Sequence, residues 1–296
     1  MSVTSTQPDY HRLVEKIREL PTLPDVLGEV NRLLRESDSG ALELEEVMRG
    51  DQSLTMTVLR VANSAYYTGQ QRTSNLRDAI ATLGLEALQR VVLSTSVISL
   101  FGKVSASFFN VKNFWQHSIG VAVAASTVGK LLNVGNLANL YTCGLLHDIG
   151  KVANFMLDSE GMRNVIKHAH KNKLGIDEAE NTLGFPSHAR LGFHVSERWN
   201  LPKGIGQVIC NHHETDPKQR STDSFEYNYS TDIIILANAI VKDLKFGFSG
   251  DPIRGRPCSS VFERLQLGTS TYDELVQTVE ADLENAHGLL DLLKKK

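Results

Sequence analysis

The chain has 296 residues, 41% of them hydrophobic and 22% charged, with a formal net charge of −3. That mix suits a globular chain with a real core and excludes the disordered and low-complexity classes, and the near-neutral balance gives no global footprint for nucleic acid or for a basic partner. Three cysteines, Cys143, Cys210 and Cys258, are far apart and odd in number, which excludes a disulfide framework and fits a reducing compartment.

In chain order, Leu27, Val30, Leu33 and Leu34 recur at helical spacing after Pro24-Asp25, a helix start. Leu54, Val58, Val61 and Ala65 do the same after Asp51, which reads as an N-cap. Val91, Val92, Thr95, Ile98 and Phe101 mark another helix. The stretch GKVSASFFN, Gly102 to Asn110, breaks the pattern. It places a division between an N-terminal helical bundle, residues 10–105, and a second domain, residues 106–296. Two further interruptions read as loops: Glu214 to Thr231 (ETDPKQRSTDSFEYNYST) and Gly247 to Ser260, with its glycines and prolines. Tyr272 to Leu293 returns to helix, with Leu275, Val279, Leu283 and Ala286 on one face. No stretch alternates with period two, so the expected fold is all-α and two-lobed. The longest apolar run, VVLSTSVISLF, is too short to span a membrane, and MSVTSTQPDYHRLVEK lacks the apolar core of a signal peptide. The expected location is cytoplasmic.

The chain holds ten histidines, and five of them fall where the pattern turns them inward. His117 shares the face of Phe114, Val121 and Ala124. His147 closes the run Cys143-Gly144-Leu145-Leu146. His188 shares a face with Leu191 and Val195, His212 with Ile205 and Val208, and His213 follows Ile209 by one helical turn. A neutral imidazole on an apolar face needs a partner for its ring nitrogens, and a single one usually finds a carbonyl. Five would each need their own. A shared cation satisfies several at once, with Asp148 supplying negative charge. His168, His170, His11, His194 and His287 have charged, polar or undistinguished surroundings and read as ordinary side chains.

At these residues the sequence resembles the HD superfamily of metal-dependent phosphohydrolases, whose signature is HDIGK, His147 to Lys151. The spacing most resembles the HD-related output domain, HDOD, a relative of the HD-GYP branch. LPTLP at Leu20 to Pro24, DQSLTMTVLRVANSAYY at Asp51 to Tyr67 and DAIATLG at Asp78 to Gly84 carry the N-terminal half of that likeness. SHARLG, the RWNLP of Arg198 to Pro202 and NHHE at Asn211 to Glu214 carry the other half. The likeness implies that His117, His147, Asp148, His188, His212 and His213 hold one or two transition-metal ions (iron, manganese, nickel or zinc), with Asp148 bridging. It gives Lys151 a catalytic role, facing a substrate phosphate. A later aspartate of the pattern falls at Asn238, a neutral and weaker ligand. The segment after NHHE, TDPKQRSTDSFEYNY, lacks the loop that recognises cyclic di-GMP.

The resemblance therefore implies a bacterial signal-transduction output protein, a degenerate phosphohydrolase that keeps its metal and binds a signalling protein or a small nucleotide. The alternative is an active phosphohydrolase on a nucleotide-like substrate, with Asp148 and Lys151 in the reaction. The N-terminal bundle, residues 10–101, is the part that plain HD enzymes lack and is the expected contact for partners. A helix-turn-helix reading of Leu44–Met48 and Asp51–Asn63 offers only Arg60 as a cation, which is poor for phosphate binding. The ANSA stretch, Ala62 to Ala65, reads as small residues in tight helix packing.

Overall fold

The computed structural model describes residues 16–33, 41–64, 72–101, 108–253, 258–268 and 271–294. Leu34, Ala65 and His11, and most of GKVSASFFN, lie outside the described residues, as do the side chains of Ala286 and His287. The described residues are helical and contain no strand.

Residues 23–103, with 281–296, form one compact unit. It holds α1 (Asp25–Leu33), α2 (Ala41–Arg49), α3 (Gln52–Ala62) and α4 (Leu76–Phe101). Asp51 caps α3 by accepting from the Leu54 amide at 3.0 Å. Leu27, Val30, Leu44, Met48, Val58, Leu88 and Val92 are buried together as its core. The α4 segment is broken at Gly84, whose φ of 75° lies in the left-handed region that other residues avoid. By length and composition α4 passes for a membrane span, with a mean hydropathy of 1.3, although the run noted in the sequence is shorter. Its apolar side chains Leu88, Val91, Val92 and Val97 are buried in the protein, as a core helix requires. The ANSA stretch does more than pack closely: Asn63 clamps Thr73 from both sides, donating to its carbonyl at 2.7 Å and accepting from its amide at 2.9 Å.

Residues 1–22 and 104–280 form the other unit. It contains α5 (Val111–Leu131), α6 (Leu137–Leu146), α7 (Ile149–Leu157), α8 (Ser159–Asn172), α9 (Ile176–Leu183), α10 (His188–Arg198), α11 (Lys203–Asn211), α12 (Phe225–Asp243) and α13 (Ser259–Arg264); α14 (Thr271–Lys294) begins in it. LPTLP and RWNLP meet here. Leu20 and Pro21 offer carbonyls to the Arg198 guanidinium and the Trp199 indole N–H, each at 3.0 Å.

Two expected loops are shorter or deeper than the sequence indicated. The aromatic half of Glu214–Thr231 is the first two turns of α12, capped by Ser224, which accepts from the Tyr227 amide. The other half is a 3-10 turn at Pro217–Gln219. In Gly247–Ser260, Ser249 and Asp251 are buried rather than superficial: Ser249 meets the buried Lys151, and Asp251 binds the partly buried Lys242.

Two glycines bring helices into backbone contact around the HDIGK motif. A Cβ on Gly144 would sit 2.6 Å from Ala122 Cα, so α6 crosses α5 at closest approach. A Cβ on Gly150 would sit 1.9 Å from the His188 carbonyl oxygen, so α7 and α10 touch main chain to main chain. Those crossings fix the distance of His147 from His117 and from His188.

Candidate metal centre

His117, on α5, is buried, as are His147 and Asp148 at the α6–α7 corner, His188 at the first position of α10, and His212 just past α11. His213 follows, with 23% of its side chain exposed. Neighbouring rings in the set lie close, with centroids 5.4 Å apart for His117–His147, 5.2 Å for His147–His212 and 4.8 Å for His188–His213. The donor atoms form two groups that share Asp148: His117, His147 and Asp148, and Asp148, His188, His212 and His213.

Each anchored ring is oriented the same way. His147 Nδ1–H donates to the Gly144 carbonyl at 2.7 Å, and His212 Nδ1–H to the Ile209 carbonyl at 2.7 Å. His188 Nδ1–H donates to Glu180 Oε2 at 2.7 Å, and the same carboxylate oxygen accepts the His188 amide at 3.0 Å. These bonds make Nδ1 the donor in each ring and turn each Nε2 away from the main chain, leaving those of His147 and His212 with a bare lone pair. The Nε2 atoms of His117, His147 and His212 and Oδ1 of Asp148 are buried without a hydrogen-bond partner. Unpaired acceptors facing one another in the interior are costly unless a cation lies between them.

Distances fit such an ion. His188 and His212 Nε2 lie 3.3 and 3.4 Å from Asp148 Oδ1. Bonds of about 2.0–2.1 Å around a tetrahedral ion put neighbouring ligand atoms roughly 3.3–3.4 Å apart. His188 and His213 face Nε2 to Nε2 at 2.9 Å, a pairing of two acceptors that holds only with a proton or a cation between them. An acceptor on the far ring nitrogen, as Glu180 provides for His188, is the usual support of a metal-bound imidazole.

The electrostatics follow from burial and neighbours. Burial alone would raise the Asp148 carboxyl, but the Lys151 ammonium and then His147 and His188 hold it well below the usual carboxylate range. Burial also opposes charge on His188, yet Glu180 and Asp148 lift it to about 9. His212 is pushed by burial to about 4, and His117 and His213 fall well below the ordinary imidazole value for the same reason. For Lys151, burial works against its charge and Asp148 outweighs it, raising the ammonium further.

Lys151 lies inside rather than at an opening. It is 1% exposed, donates to Asp148 Oδ2 at 2.7 Å and reaches Ser249 Oγ at 3.4 Å. Asn238 is buried on α12 with its amide oxygen unpartnered. Among the other histidines, His194 is paired with Glu197 at 3.0 Å and His170 lies edge-on to Phe248.

Glu180, which holds His188 from behind, is the residue of the cluster that the sequence did not single out. It is buried on α9 one turn after Ile176. A carboxylate on an apolar face is the same signal that singled out the histidines, and it could have been found that way.

An all-α scaffold with a buried His/Asp cluster at an HD pair defines the class. The sequence model of the HDOD domain matches residues 20–215, and the chain belongs to the HDOD family. It is similar to an HDOD domain protein of unknown function from Geobacter sulfurreducens, with a TM-score of 0.72 at 24% identity over 97% of this chain and 99% of that one. It is also similar to a proposed signal transduction protein of Marinobacter aquaeolei VT8, with a TM-score of 0.78 at 16% identity over 97% of this chain and 65% of that one. An uncharacterized protein of Treponema pallidum is 24% identical over 203 residues, 68% of this chain; the chain spans only 39% of that relative's length.

Proposed function

We propose that the chain is a signal-transduction output protein that keeps a transition-metal ion as a structural and regulatory element rather than for turnover. His117, His147, Asp148, His188, His212 and His213 are the ligands, and Asn238 is a further neutral donor. The observation that carries this reading is the set of buried, unpartnered Nε2 atoms turned toward one carboxylate. Iron, manganese, nickel and zinc all suit imidazole with one carboxylate. When bound, the ion supplies the positive charge that these acceptors lack and ties together the ends of α6, α10 and α11.

Burial favours regulation over catalysis. Five of the six ligands are out of solvent, and Lys151, the residue that would meet a phosphate, is enclosed between Asp148 and Ser249. The segment after NHHE becomes a 3-10 turn and the start of α12 rather than a nucleotide-recognition loop. The partner is a signalling protein or a small nucleotide, and the N-terminal bundle is its contact. Elemental analysis of untagged protein tests the metal: wild type carries a transition ion and His188→Ala does not. Absence of metal from both overturns the reading.

The second reading is an active phosphohydrolase, and the doubled donor group sharing Asp148 is what favours it, since a shared carboxylate suits two-metal hydrolysis. Manganese- or iron-loaded protein against a panel of nucleotides and phosphodiesters separates the two. Turnover near about 10 s⁻¹ selects the enzyme.

A further inference from the structure

The donors divide by oxygen atom. Asp148 Oδ1 faces His188 and His212 and has no hydrogen-bond partner, and His213 joins that side through His188. Asp148 Oδ2 faces His147 Nε2 at 3.3 Å and already holds the Lys151 ammonium at 2.7 Å. His117 completes that second side. One half of the cluster therefore gathers only imidazoles around its oxygen, whereas the other contains a lysine.

Lys151 is well held. Its stem is buried, Ser249 gives it a second contact and Asp251 adds negative charge nearby. Leaving Asp148 would strand an ammonium in the interior, which is costly without a replacement partner. A divalent ion on Oδ2 would compete for the same lone pairs and lie against a like charge at low dielectric, where repulsion is strong.

We propose that Lys151 is the resident cation of the His117–His147 side, so that the chain takes up one divalent ion, on Asp148 Oδ1 with His188, His212 and His213. The second position is closed to metal while Lys151 is bound to Asp148. The inference rests on the metal reading above and narrows it: of the six ligands named there, Asp148, His188, His212 and His213 hold the ion. It makes Lys151 an occupant of the site rather than a group waiting for a phosphate, and Ser249 the latch that keeps it there.

The test is equilibrium dialysis of the full chain against manganese(II), with ions per chain read by elemental analysis and spin coupling by electron paramagnetic resonance. Wild type takes up one ion with the spectrum of an isolated centre, and so do His117→Ala and Lys151→Arg. His213→Ala removes a ligand and weakens that ion by more than the roughly tenfold that loss of an outer support costs. Lys151→Met takes up two ions with a coupled spectrum, and adding His117→Ala to it returns the count to one. Two ions in wild type, or one in folded Lys151→Met, overturns the role of Lys151 while leaving the metal reading intact. No ion in wild type overturns the metal reading itself. Should Lys151→Met fail to fold by circular dichroism, Ser249→Ala replaces it: uptake of a second ion that wild type does not take up supports the latch, and a single ion overturns it.

Discussion

Asp148 and Asp232, two of the aspartates buried in the same unit, are treated in opposite ways. Asp232, on α12, receives Arg220 Nη2, accepts Arg264 Nη2 on Oδ1 at 2.8 Å and takes Arg264 Nε on Oδ2 at 2.7 Å. Arg220 spends its other donors on the Glu214 and Asn228 carbonyls at 2.9 and 2.8 Å. That centre is complete, with two fixed cations of the chain's own. Asp148 has one lysine on one oxygen and only imidazole rings facing the other, which no hydrogen bond closes. A buried acid closed by arginine is a structural tie. A buried acid closed by imidazole lone pairs is short of charge, and the shortage is what marks a ligand site.

The contrast is sharpest when Asp232 is removed. Asp232→Ala leaves the fully buried Arg220 unpaired and lowers stability by about 3–5 kcal/mol in chemical denaturation. Metal per folded chain stays at the wild-type value; a loss of metal there would merge the two centres. Next, Gly150→Ala forces α7 off the His188 carbonyl, costing about 1–3 kcal/mol as overpacking does. Because it shifts His188 against Asp148, it also lowers metal content, which Asp232→Ala does not. Glu180→Gln keeps an acceptor for His188 Nδ1–H but removes the charge behind it. It weakens metal about 10–100-fold in a competition titration with a chelator and moves thermal stability little. The smallest effect is chemical. Cys143 is buried with its thiol pushed to about 12, while Cys258 is exposed and lowered, burial being outweighed by Ser260 and neighbouring groups. Thiol alkylation of the native protein, read by mass spectrometry, therefore marks Cys258 first and spares Cys143.

The histidines were legible because helical spacing turns a side chain inward whatever its chemistry, and five imidazoles on apolar faces stand out against it. Glu180 obeyed the same rule and could have been read with them. The arginine tie was harder to see. Asp232 lies where the sequence reads as apolar helix, but Arg220 comes from a segment read as loop, and no spacing links positions in irregular chain. Ser249 is further still from any pattern, since it meets Lys151 across 98 positions from a stretch without periodicity. The start of α12 was hidden by its polar, aromatic composition, although Ser224 is an ordinary capping residue. Period and caps speak for helices and their faces. Contacts made by loops are set by tertiary closure and leave no trace in spacing.

The glycine crossings at Gly144 and Gly150 carry one more consequence. Where two helices meet main chain to main chain, no side chain lies between them to compress or swing aside, and protein interiors yield little. The bite of the imidazoles that flank those crossings is therefore set by the backbone, as the opening of a rigid wrench is set by its jaw. The proposed ion would have to be of small radius to seat in it, whereas calcium, which needs more and longer bonds to oxygen, would be turned away by size as well as by ligand type.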